Sequence, residues 1–254
     1  MFKFTKLAVA MAMLAGAGAA NASVMYYDGG NNEAYLSAYD WTTGKTFTLD
    51  TGITYDELVA NQFNTSYALN YDLSNDPNWQ NFITGANTSV IKYVVAVGNS
   101  VGLGAAITMD GPLYPTAGED YGIFWGSSVA SAIEGHAIDV NAGLVQDRNL
   151  NDTKLSLDTD SPMTGQHGYA DSIWGSWIQD PQVAYGESVA FQLGVMDIVV
   201  NPGDNLTSTF VQRWTLAGNS LTFEAPAAVP VPGAVWLFGT GLLGLLGARR
   251  KANA

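Results

Sequence analysis

Both ends of this 254-residue chain are apolar runs bordered by basic residues. That pattern removes them from the part that folds in water. At the start, Lys3 and Lys6 precede the small apolar run Leu7 to Ala20, and Ala20-Asn21-Ala22 forms an A-x-A site ahead of Ser23. This is the build of a secretory signal peptide over 1–22, with the cut expected between Ala22 and Ser23. At the other end, Val229-Pro230-Val231-Pro232 makes a joint. Its prolines fix φ and hold the preceding residues extended. Residues 233–248 follow without a charge, then Arg249-Arg250-Lys251 opens the basic end segment 249–254. At 1.5 Å per residue, 233–248 extends about 24 Å, short of a hydrocarbon core of about 30 Å. It is expected to span as a transmembrane helix, with Trp236 at one interface and the basic cluster snorkelling at the other. The basic cluster stays cytoplasmic, which leaves the body, 23–228, on the far side.

The body fixes its own class by what it lacks. It holds all 23 acidic residues and only five basic ones, Lys45, Lys92, Arg148, Lys154 and Arg213, a net charge of −18. Such a surface repels nucleic acid, so nucleic-acid binding is excluded. There is no cysteine. Cohesion must come from packing, and thiol catalysis and thiolate metal sites are ruled out. Only His136 and His167 exist, too few for a three-histidine zinc centre. All twelve tyrosines and six of the seven tryptophans lie in the body, enough to build a core.

Period-two runs dominate the body. Tyr35, Ser37, Tyr39 and Trp41 share one face, and Phe47 and Leu49 follow the turn Thr42 to Lys45. Val90 to Val97 is apolar almost throughout, as in a strand buried on both faces. Ala105 to Met109 continues beyond Gly98 to Gly104. Val189, Phe191, Leu193 and Val195 alternate again, and Phe210–Leu216 and Leu221–Phe223 flank the turn Ala217 to Ser220 as a hairpin. Two short helices are expected. Thr54-Tyr55-Asp56-Glu57 has capping-box spacing before Leu58, Val59 and Phe63. Asp76-Pro77 caps a segment with Trp79, Phe82 and Ile83. Asp147 to Asp160, the most polar stretch, reads as a long loop. The expected fold is mostly β: one β-sandwich-like domain with a few short helices.

The tail, Val229-Pro230-Val231-Pro232-Gly233-Ala234-Val235-Trp236-Leu237-Phe238-Gly239-Thr240-Gly241-Leu242-Leu243-Gly244-Leu245 with Ala248-Arg249-Arg250-Lys251, resembles the PEP-CTERM sorting signal of Gram-negative bacteria in its V-P-x-P variant. Val231 stands where that signal commonly carries Glu. The resemblance covers about a tenth of the chain. It implies transient anchoring in the inner membrane, cleavage near the joint by an exosortase-type enzyme, and release to the outer surface or an exopolysaccharide matrix. It implies nothing about the chemistry of the body.

Three candidate sites in the body weigh against plainer readings. Asp147, Asn149, Asn151 and Asp158 fall at positions one, three, five and twelve of an EF-hand-like loop, with the Thr153 carbonyl at position seven. Asp152 replaces the turn glycine and Asp158 the bidentate glutamate, so a solvated loop with chance spacing is the stronger reading. No resident cofactor is expected, with weakly bound Ca²⁺ the one alternative. Trp125, Trp174 and Trp177 sit beside glycines and, with Trp41, Trp79, Tyr121 and Tyr169, could form a stacking platform for sugar rings; core packing is the commoner fate of tryptophan. Gly186-Glu187-Ser188-Val189-Ala190 only approximates G-x-S-x-G and enters a strand, so no serine nucleophile is expected. The chain is therefore expected to be a non-enzymatic exported surface or matrix protein with polysaccharide as a partner. The alternatives are a secreted carbohydrate-active enzyme, which needs two converging carboxylates in a cleft, and a structural adhesin subunit.

Overall fold

The computed structural model describes residues 32–99, 104–109, 133, 137, 153–157, 183–196 and 205–226. The expected signal peptide 1–22 and the expected membrane helix 233–248 lie outside the described residues. Among those described, no helix is long and apolar enough to cross a membrane.

The fold is mostly β, as the alternation predicts. The strands are β1 (Glu33–Asp40), β2 (Lys45–Thr54), β3 (Leu69–Asp72), β4 (Ile91–Asn99), β5 (Gly104–Thr108), β6 (Thr153–Leu157), β7 (Val183–Ala184), β8 (Ser188–Met196), β9 (Asn205–Ala217) and β10 (Ser220–Glu224). Helix α1 (Tyr55–Ala60) follows β2, and α2 (Pro77–Ile83) follows β3. All strand pairs are antiparallel and form one sheet in the order β3-β10-β9-β8-β5-β4-β1-β2-β6, with β7 beside the start of β4. The sandwich-like body is thus a single sheet curled over itself. Tyr71 in edge strand β3 donates its hydroxyl to the Thr51 carbonyl in β2, next to the opposite edge, at 2.9 Å.

The curl closes around an aromatic core. Leu36, Phe47, Leu49, Val95, Val97, Phe191, Phe210, Trp214 and Phe223 point into it, and Trp79 and Phe82 enter from α2. Trp214 stacks on Phe223 with ring centroids 4.4 Å apart, and Phe47 meets Trp79 edge-on at 5.0 Å. Both helices begin where their caps place them. The Thr54 side chain accepts the Glu57 N–H, and Asp76 accepts the Trp79 N–H with Pro77 next to it.

The opposite face of the sheet is also buried. Tyr35, Ser37, Tyr39, Thr46, Thr48, Val94, Ala96 and Ile107 lie there and are shielded from water. That accounts for the unbroken apolar run of β4. Tyr35 donates to the Ile133 carbonyl at 3.1 Å, so Ile133, helical and buried, belongs to what covers this face.

Trp41 lies just beyond β1, which ends at Asp40, and its ring still meets Tyr39 on the expected face. Two expectations change. Phe63 is not on α1, which stops at Ala60, since Asn61 leaves helical geometry at φ −104 and ψ 8. The polar stretch after Asp147 is not loop throughout. Its Thr153–Leu157 segment is an edge strand paired with β2, Lys45 opposite Leu157 and Leu49 opposite Thr153.

Candidate functional site

Most residues singled out for function fall outside the described residues. These are Ala20, Ala22 and Ser23 at the signal-peptide cut; Val229, Pro230, Val231, Pro232, Trp236, Arg249, Arg250 and Lys251 in the tail; Trp125, Trp174 and Trp177; and Asp147, Asn149, Asn151 and Asp158. What the structure supplies is the platform from which the tail departs and the surroundings of the remaining candidates.

The tail leaves the body at the end of β10. Glu224, its last residue, is paired with Arg213 of β9, and Phe223 is paired with Leu69 of β3. Strand β9 runs on past that point, and the loop after α1 takes the place beside it that β10 vacates. A two-residue excess in β9 between the pairs Ala190–Arg213 and Gln192–Thr209 makes a bulge there. The bulge turns the Val211 N–H away from β8, and the Gln62 carbonyl accepts it at 3.0 Å. Gln212, fully buried, donates through Nε2 to the carbonyls of Asn61 at 3.1 Å and Asn64 at 2.6 Å. Gln62 Nε2 reaches Ser208 Oγ at 2.6 Å. The loop between them is held from both sides, and Phe63 stands at its crest, 71% exposed. No local signal marked Phe63 for exposure, because its i, i+4 spacing to Val59 mimics a helix face.

Of the aromatics proposed as a sugar platform, two are described and they part company. Trp79 is fully buried against Phe47 and Phe82, with its indole N–H donating to Asn219 Oδ1 at 3.0 Å. It belongs to the core because α2 turns it inward. Trp41 is 44% exposed and meets Tyr39 edge-on at 4.8 Å. Strand β2 separates the turn carrying Trp41 from α1 and Phe63, and its ten residues extend about 30 Å. Trp41 and Phe63 therefore cannot stack on one sugar ring.

The described carboxylates that are buried serve the fold. Asp40 accepts the Thr42 N–H and the Thr43 hydroxyl, each at 2.8 Å, and so shapes the β1–β2 turn. Asp76 caps α2 with one oxygen and accepts the Thr153 hydroxyl with the other at 2.8 Å. That second bond bears on the calcium candidate. Thr153, position seven of the proposed loop, starts β6, and its carbonyl accepts Asn78 Nδ2 at 2.9 Å. Thr153 to Leu157 is extended chain, about 13 Å long. Among the described residues, no three His, Asp or Glu side chains gather as a metal site.

Ser188 begins β8, where Arg213 donates through Nε to its hydroxyl at 3.3 Å and through Nη2 to its carbonyl at 2.7 Å. A strand start clamped by a guanidinium is not the strand-to-helix elbow a serine nucleophile needs. Tyr67 and Tyr71 gather where β2, α1 and β3 meet, while the Tyr55 phenol reaches Gly104 of β5. Burial pushes the Tyr55 phenol up to about 12, helped by Asp56. Burial, the bond to Glu57 and its charge raise Tyr67; burial first, with Asp50 and Glu57 behind it, raises Tyr71. Tyr67 donates to Glu57 and Tyr71 to the Thr51 carbonyl, each at 2.9 Å, so these two neutral phenols serve as struts.

Residues 228–251 match the family of the PEP-CTERM protein-sorting motif. No curated protein and no solved structure matches the chain. The motif is the recognition signal for exosortase processing, and it marks the chain as an exported protein anchored in the membrane before it is processed.

Proposed function

We propose that the body is a non-enzymatic protein of the outer surface or extracellular matrix, delivered by its sorting tail and associated there with exopolysaccharide. The observation that carries the reading is the sorting motif at 228–251 placed directly behind a mostly β body whose last described strand ends at Glu224. Support comes from the employment of the described polar groups. Asp40, Asp76, Ser188, Tyr67 and Tyr71 are engaged in turns, caps, strand clamps and struts. An acidic, cysteine-free body suits life outside the cell, where charge keeps it soluble. Trp125, Trp174 and Trp177 are the proposed sugar contacts, since flat indoles dock the apolar faces of pyranose rings.

The test is fractionation of producing cells with mass spectrometry of the mature termini. A chain starting at Ser23, ending within 229–232 and recovered from the surface or medium is expected. An intact chain in the cytosol overturns the reading. Retention of that mature form on immobilised exopolysaccharide, weakened by Trp174→Ala and Trp177→Ala, checks the partner; no retention on any neutral or acidic polysaccharide removes it.

A further inference from the structure

The largest apolar exposure among the described residues sits beside the tail's point of departure. Phe63 is more exposed than Trp41 or Leu157, and a solvated phenyl ring loses its hydration cost wherever it is covered. Single exposed apolar residues are common on protein surfaces, so exposure alone assigns nothing. Three further observations point to an occupant.

The first is position. Gln212 holds the Asn61 and Asn64 carbonyls, and its neighbour Arg213 is the partner of Glu224, the last residue of β10. Tyr67, closing the same loop, meets Phe223 edge-on at 6.4 Å. The loop thus lies about one strand spacing, 4.8 Å, from the strand that ends in the tail. The second is the length of chain beyond the body. Six residues, 227–232, separate Pro226 from the apolar segment, and six residues reach at most about 20 Å. While the segment is in the bilayer, the exit side of the body is confined near the lipid surface. A short tether of this kind sets an effective concentration in the mM range. The third is charge. The body is strongly acidic, yet no charged residue occurs from Leu58 to Tyr71. This uncharged patch is the part of the exit side that an anionic lipid surface repels least.

The loop is also preorganised. Within it, Asn64 N–H donates to the Asn61 carbonyl at 3.0 Å, Asn64 Nδ2 to Asn61 Oδ1 at 3.1 Å, and Tyr67 N–H to the Asn64 carbonyl at 3.0 Å. A ring displayed by a fixed loop enters an interface without first losing loop entropy. From this juxtaposition we propose that the Asn61–Tyr67 loop is the surface on which the body rests against the inner membrane before processing, with Phe63 inserted at the headgroup level. The inference rests on tail anchoring. Its consequence is orientation: the loop fixes how the body sits over the joint that the processing enzyme must reach.

The absence of cysteine permits a clean test. Full-length chain carrying Phe63→Cys is labelled with a polarity-sensitive fluorophore and reconstituted into vesicles of phosphatidylethanolamine and phosphatidylglycerol. Thr42→Cys, in the exposed turn at the other end of β2, is the comparison. The label at 63 is expected to shift to shorter wavelength and to be quenched by lipid-borne nitroxide, and the label at 42 to keep its aqueous emission. Equal, aqueous emission from both sites on vesicles that float with bound protein overturns this inference and leaves anchoring intact. Failure to float overturns anchoring, and this inference with it. A shift at 63 produced by exopolysaccharide without vesicles makes the loop a sugar contact and likewise overturns the membrane assignment.

Discussion

Gly104→Ala is the sharpest perturbation the core offers. Gly104 opens β5 with its α-carbon facing the aromatic core, and Tyr55 comes down on it from the first position of α1. A methyl group there would overlap the Tyr55 hydroxyl and lie 3.2 Å from Tyr55 Cζ and 3.3 Å from the Gly194 carbonyl. Two effects compete. Replacing a strand glycine by alanine ordinarily gains about 0.5–1 kcal/mol, because the unfolded chain loses freedom. Overpacking a filled core costs about 1–3 kcal/mol. Tyr55 is only 7% exposed and turns on two dihedrals, so it has little room to retreat, and the overlap wins. The expected net loss is about 1–2 kcal/mol, or about 2–8 °C in Tm for a body of this size. Equilibrium urea unfolding followed by tryptophan fluorescence reads it. Tyr55→Phe removes the obstructing oxygen, so in the Gly104→Ala background it should recover at least half of the loss, a coupling of about 1 kcal/mol. Gly104→Ala as stable as the parent, or a loss that Tyr55→Phe leaves untouched, would refute the argument.

Asp76→Ala should cost about 2–4 kcal/mol in the same assay, from a lost helix cap and from burying the Thr153 hydroxyl without its carboxylate acceptor. Asp76→Asn, which keeps the cap oxygen, should cost less; equal losses would show that the cap carries nothing. The raised tyrosines predict alkaline sensitivity. Tyr55, Tyr67 and Tyr71 have folded values above the ordinary 10, so their stabilisation is complete below pH 10 and is lost as pH rises through those folded values, about 12 for Tyr55. Tyrosinate absorbance should therefore show a late-titrating class that coincides with unfolding, and Tyr71→Phe should shrink it; a single ordinary titration of all tyrosines contradicts the burial described.

How much could be read from residues alone depended on how far each structural decision reached along the chain. Thr54 and Asp76 bind N–H groups three residues away, so both helices were visible as caps in the sequence. The hairpin around Gly218 needs one residue with positive φ, here 58°, between two alternating runs, and that too is local. The sorting tail is the extreme case, since a processing enzyme reads it as a linear string.

The rest depended on partners distant in sequence. Strand β6 looked like solvated loop because its buried positions are Thr153 and Ser156. They are tolerated inside only because Asp76 and the polar face of β2 meet them from across the chain. Trp79 and Trp41 are the same residue type with opposite fates, one turned into the curl by α2 and one left on a turn. Phe63 is exposed because a bulge in β9 gives Gln212 the reach to hold its loop outward. Hydrophobic period and capping chemistry act over a handful of residues and can be read off a string. Which strand lies beside which, and which aromatic finds a wall to pack on, is set by the closing of the sheet, and that exists only once the chain has folded.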